Sequence, residues 1–149
     1  MAKTEVRWIE ARDEAVWRDL WQQYVTFYES TVPEAVTAHT WARLIARSEG
    51  MIGRVAERDG RVIGFSVSIV HARSWSIGPA CYLEDLFVDP SVRGSGAGRA
   101  LIEDLKAMGR ERGWASLYWH TRQSNAVARR LYDRFVQADD FVRYRIGIA

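Results

Sequence analysis

The chain has 149 residues, 48% apolar and 27% charged, with a net charge of +2 and a single cysteine. That length suits one domain spanning 1–149, with a sizeable core. No apolar run approaches the ~20 residues of a membrane span, and the opening MAKTEVRWIE is too polar for a signal peptide. The lone Cys81 excludes an intrachain disulfide and fits a reducing cytoplasm, and three scattered histidines have no metal-ligand spacing.

In chain order, VRWIEA alternates like a first strand. RDEAVWRDLWQQYVTFYES places Trp17, Leu20, Trp21, Tyr24, Phe27 and Tyr28 at helical steps. PEAVTAHTWARLIARS reads as a second helix, with Pro33 in its first turn and Gly50 beyond its end. Two β-rich runs then flank Asp59-Gly60, a strong hairpin signal. ACYLEDLFVDP is a strand stopped by Asp89-Pro90. A helix is expected from Gly98 to Arg112, a strand in ASLYWHT, a helix from Ser124 to Phe135, and a closing strand in FVRYRIGI. This order predicts an α/β (α+β) domain with a mixed sheet and helices on both faces. It disfavours a repeating βα fold.

Charge is unevenly spread. Residues 1–90 hold 10 Lys+Arg against 13 Asp+Glu (−3), and residues 91–149 hold 11 against 6 (+5), which together give the +2. The basic part contains VRGSGAGRAL, between a strand and a helix. Its glycines do not match the dinucleotide fingerprint, and no Gly-Lys-Ser/Thr follows for a Walker loop. What remains is Arg93-x-x-Gly96-x-Gly98. Glycines there let successive N–H groups converge on an anion, the helix start adds free donors, and Arg93 and Arg99 can close over a pyrophosphate. No basic tail suggests nucleic acid, and nothing suggests a membrane partner.

YLEDLFVDPSVRGSGAGRALIEDL followed by SLYWHTRQSNAVARRLYDRF resembles the acetyl-CoA-binding core of the GNAT N-acetyltransferase superfamily. The YLEDLFV strand and the N-terminal half are similar to its diamine-, polyamine- and histone-acetylating branch. The resemblance implies a sheet of about six to seven strands and acetyl-CoA as co-substrate. It implies that Arg93, Gly94, Ser95, Gly96, Ala97, Gly98 and Arg99 wrap the pyrophosphate. Leu86, Phe87 and Val88 would offer main chain to the pantetheine arm, Asn125 would hydrogen-bond the cofactor, and Tyr132 would stand near the sulfur. The family usually follows that tyrosine with Gly-Phe, whereas this chain has DRFVQADDF. A homodimer is expected, through FVRYRIGI at a sheet edge.

Amine acetylation poses two proton problems. A lysine-like ammonium, with pKa ~10.4, must lose a proton before it can attack. Glu84, directly or through water, is the candidate base. Asp85 would point to the opposite face of a regular strand, but a bulge could turn both toward one cleft. The leaving thiolate needs an acid, and Tyr132 fits. Tyr24, Phe27, Tyr28 and Glu29 are candidates to line a cation site, with Trp119 as a wall. The expected acceptor is therefore a polyamine, a diamine, an amino acid or a lysine side chain. A non-catalytic acyl-CoA sensor and a protein N-terminal or other acyltransferase are the alternatives.

Overall fold

The computed structural model describes residues 3–92 and 94–149. Five strands form one sheet in the order β1 (Glu5–Trp8), β2 (Met51–Arg58), β3 (Arg61–His71), β4 (Ala80–Val88), β5 (Ser116–Tyr118). The first four are antiparallel neighbours, and β5 runs parallel to β4. The β2–β3 hairpin turns on Asp59 (φ 54°) and Gly60 (φ 73°), the two left-handed residues such a tight turn demands. Helices α1 (Glu14–Phe27) and α2 (Glu34–Ala46) precede the hairpin. α3 (Ala97–Arg112) and α4 (Ala126–Tyr132) flank β5 in sequence.

Strand alternation divides the core in two. On one side Trp17 and Leu20 of α1 and Leu44 of α2 pack on Val55, Phe65, Val67 and Phe87. On the other, Leu101, Ile102 and Leu105 of α3 meet Ala56, Ile63 and Leu83. Helices thus cover both faces, as the element order predicts. Two ion pairs fix this arrangement. Arg54 of β2 grips Asp104 of α3 through two hydrogen bonds of 2.9 and 2.8 Å. Arg7 of β1 holds Asp13, just ahead of α1, at 2.8 and 3.0 Å.

Three expectations need correction. The sheet has five strands among the described residues, not six or seven. The last helix is shorter than Ser124 to Phe135, and β5 stops at Tyr118, before Trp119. FVRYRIGI forms no strand. Phe141, Val142, Tyr144, Ile146 and Ile148 are 75 to 93% exposed, and residues 137–149 share no main-chain hydrogen bond with the other described residues. Alternation makes a segment suited to a sheet, but a strand exists only when a neighbour supplies its hydrogen bonds. Among the described residues this segment has no such neighbour.

Candidate active site

β4 and β5 are joined only at Ala80–Ser116, Cys81–Leu117 and Tyr82–Tyr118. Beyond Tyr82, β4 continues to Val88 without β5 beside it, so the sheet parts and leaves a cleft. Leu83, Glu84 and Leu86 line one wall, and Trp119 and His120, just past β5, line the other. Tyr24 of α1 and Tyr28, just past its end, close the cleft on one side, and Tyr132 closes it from the end of α4.

A bulge in β4 shapes this wall. Val67 pairs with Asp85 and Ser68 with Leu83, so Glu84 is the extra residue. The insertion changes the strand's parity. Leu83 packs toward α3 together with Leu86, while Phe87 lies on the α1 side. Glu84 is exposed and lines the cleft. Asp85 has the Tyr24 phenol as its polar neighbour. Burial pushes the Asp85 carboxyl up to about 7; the Tyr24 phenol pulls it down, and the nearby Glu84 adds to the rise. Tyr24 is raised in turn, by burial first and then by Asp85. The two carboxylates therefore have different environments: one wet, one enclosed and weakly acidic.

Tyr132 is half-buried, with its ring 5.5 Å from Trp119. Burial, with a smaller contribution from Tyr28, pushes its phenol up to about 12. It is thus a proton donor at neutral pH. A phenol this weak is a poor match for a thiolate in water, whose conjugate acid titrates at ~8.5. The same burial raises thiols, however. Cys81, enclosed in β4, is pushed up to about 11. A sulfur desolvated beside Tyr132 is matched to it far better than one in water.

The glycine loop lies at the start of α3. Gly94 and Gly96 both have φ 82°, a conformation that glycine adopts freely. Gly96 occupies the N-cap and contributes no side-chain cap, so the first N–H groups of the helix are left without one. Ser95 carries a buried hydroxyl with no hydrogen-bond partner among the described residues. Gly98 permits close packing of α3 against α4, since a Cβ there would sit 3.1 Å from Leu131. Arg93 lies outside the described residues, and Arg99 is exposed.

The GNAT acetyltransferase family model matches residues 14–136. The chain belongs to the GNAT acetyltransferase family. The D-amino-acid N-acetyltransferase HPA3 of Saccharomyces cerevisiae is 34% identical over 142 residues, covering 94% of this chain and 88% of that protein. An uncharacterized N-acetyltransferase, YhfO of Bacillus subtilis, is 30% identical over 146 residues, covering 96% and 97%. The crystal structure of a probable acetyltransferase superposes with a TM-score of 0.83 at 22% identity, covering 99% of this chain and 98% of that one. At that identity the likeness speaks for the fold. This GNAT protein is an N-acetyltransferase, and its family uses acetyl-CoA as co-substrate.

The loop suits such a co-substrate. An orphan hydroxyl, two left-handed glycines and an uncapped helix start form a set of donors that a pyrophosphate satisfies. The stretch of β4 beyond Tyr82, paired with β3 but open on the β5 side, has the form that an extended pantetheine needs. Phe87 can serve only through its main chain, because its side chain is buried in the α1 core. Asn125 has a local role: it caps α4 by accepting from the Ala128 N–H at 3.3 Å, and it donates to Thr121 at 3.1 Å.

Of the residues considered for the acceptor, Tyr24, Tyr28 and Trp119 line the cleft. Phe27 lines a separate shallow hollow with Asp19, Gln22 and Pro90. Glu29 is exposed in a left-handed turn (φ 53°) and is not part of the cleft wall. The Arg122 guanidinium lies 5.7 Å from the Tyr28 ring centroid. The sequence reading assigned no role to His120 or Tyr82, yet both stand where the strands part. The available signal was the position of His120 two residues after Tyr118, at the carboxyl end of a parallel strand, where ligand clefts in such sheets open.

Proposed function

We propose that this enzyme transfers the acetyl group of acetyl-CoA directly to the primary amine of a small cationic acceptor or a lysine side chain. One observation carries the reading: Glu84 and Tyr132 line the same cleft, at the point where β4 loses its neighbour. When bound, acetyl-CoA supplies an acyl group on a thiol leaving group. Gly94, Ser95, Gly96, Ala97, Gly98 and Arg99, together with Arg93, hold its pyrophosphate. The main chain of Leu86, Phe87 and Val88 lies along its pantetheine, with Asn125 alongside. Glu84 accepts a proton from the acceptor nitrogen, and Tyr132 delivers one to the sulfur. Main-chain N–H groups of β4 near Leu86 meet the charge that grows on the carbonyl oxygen. Cys81 is buried and plays no nucleophilic part.

Tyr24 and Tyr28 offer ring faces to an ammonium, with Trp119 as the far wall and Asp85 behind Tyr24. Glu29 acts at the rim, where it attracts cations without touching the reacting nitrogen. The D-amino-acid specificity in the name of the yeast relative favours an amino acid among the candidate acceptors. A panel of polyamines, D- and L-amino acids and lysine peptides, assayed for CoA release, tests the proposal. Release with at least one amine is expected. Tight acetyl-CoA binding with no release from any amine would instead identify an acyl-CoA sensor.

We propose further that the protein works as a homodimer. FVRYRIGI (141–148) has the alternation of a strand, and among the described residues the outer edge of β5 has no neighbour, so it can receive one from a second copy. Light scattering coupled to gel filtration should give twice the chain mass, and half that value once that segment is removed. A monomeric full-length chain refutes the pairing.

A further inference from the structure

Amine acetylation needs more proton acceptors than the roles above supply. An alkylammonium loses two protons on becoming an amide nitrogen: one to free its lone pair, one after the N–C bond forms. Glu84 takes one of them. Tyr132 gives a proton to sulfur and takes none until the products have formed. Building on the proposed transfer to a cationic amine, we propose that His120 accepts the first of these protons, with Tyr82 as its positioning residue.

His120 lines the cleft opposite Glu84 and stays open to water, so a proton received there has a way out. Its Nδ1 lies 3.3 Å from the Tyr82 hydroxyl, and its ring centroid is 5.3 Å from that ring. Tyr82 is itself fixed. It stacks on Tyr118 at 5.1 Å and 19°, and the Tyr118 hydroxyl meets Nε2 of His71 at 2.7 Å. When Nδ1–H donates to the Tyr82 oxygen, Nε2 keeps its lone pair and becomes the basic nitrogen. The groups facing His120 are known on every side. Glu84 and Tyr82 come from β4, Tyr118 from β5, Tyr24 from α1, Tyr28 from just past its end, and Tyr132 from α4. Arg122 lies over Tyr28, Asp85 lies behind Tyr24, and Arg143 acts on Tyr82 through charge alone. Imidazoles in general are closer in basicity to alkylamines than carboxylates are, by about two pH units, which makes them the better acceptor for the harder proton.

The step balances. An N–H bond of the ammonium breaks, its electron pair stays on nitrogen, and the proton goes to Nε2. That pair forms the N–C bond, the C–S pair leaves on sulfur, and sulfur takes the Tyr132 proton. The second N–H proton goes to Glu84. His120 and Glu84 then release two protons, one of which restores Tyr132, so each turnover yields one proton.

The test compares His120→Gln with the wild type on two primary amines near pH 7, an alkylamine and a fluorinated amine that is already neutral. The alkylamine should lose about 100-fold in kcat/KM and the neutral amine less than about threefold, because only the first needs the base. Tyr82→Phe should show the same selectivity with a smaller loss. Equal losses on both amines would mean a merely structural role and overturn the proposal, as would no loss on the alkylamine. Nitrogen-15 imidazole spectra provide a readout independent of turnover: His120 should show the Nδ1–H tautomer, and an Nε2–H tautomer refutes the assignment. A wild type that acetylates no amine brings down the underlying reading, whereas an active wild type with an indifferent His120→Gln brings down this inference alone.

Discussion

Replacing Asp85 with Asn should make the protein more stable, increasingly so with pH. Burial lifts the Asp85 carboxyl from its ordinary 3.8 to about 7. In that window the folded chain holds a proton that the unfolded chain has released, so stability drains away as pH rises from about 4 to about 7. A difference of roughly three pH units, at ~1.36 kcal/mol each, amounts to about 4 kcal/mol when the carboxylate is fully ionised in place. Asn keeps the shape and a polar face toward the Tyr24 phenol, but it carries no charge to bury. Urea unfolding of both proteins at a series of pH values measures the gap directly. It should open above pH 4, level off above pH 7, and move the midpoint by about 2 M given a slope near 2 kcal/mol/M. Other ionisable groups are common to both proteins and cancel in the difference. Parallel stability curves, or a variant that is less stable at pH 8, would refute the claim that this carboxyl is held against its desolvation.

Tyr132→Phe should lower turnover by about 100-fold or more with little change in acetyl-CoA affinity, and wild-type turnover would remove the acid role. Glu84→Gln should lower turnover on an alkylamine and on an already neutral amine alike, because each still has to shed a proton once the N–C bond has formed; unchanged turnover on both excludes it as base. Gly96→Ala forces a side chain into the left-handed region, so about 1 kcal/mol of stability should be lost and calorimetry should show weaker acetyl-CoA binding. Asp104→Ala strands the largely buried Arg54 and should cost about 3 to 5 kcal/mol in chemical unfolding, with a much smaller loss when Arg54 is replaced as well.

The fold was readable where local chemistry leaves little choice. Asp59-Gly60 specified its hairpin, and Gly113 (φ 75°) ended α3. The apolar steps of α1 and α3 predicted which faces are buried. The sequence also placed Glu84 and Asp85 on a strand and left room for a bulge there, which the structure has at Glu84. It could not say which carboxyl would be enclosed, because that depends on Tyr24, some 60 residues away in the chain. FVRYRIGI misled for the same kind of reason: alternation records a preference, and the partner that satisfies it lies elsewhere. His120 escaped notice because no spacing rule relates it to Tyr82; the parallel pairing of β4 with β5 brings them together.

The parting of β4 and β5 has a consequence for how such an enzyme can diverge. The opening is made by peptide backbone, so drift among side chains leaves it standing. The aromatic lid above it hangs on α1, a helix free to exchange its residues one at a time. A lineage carrying this architecture can change what it modifies while keeping what it modifies with.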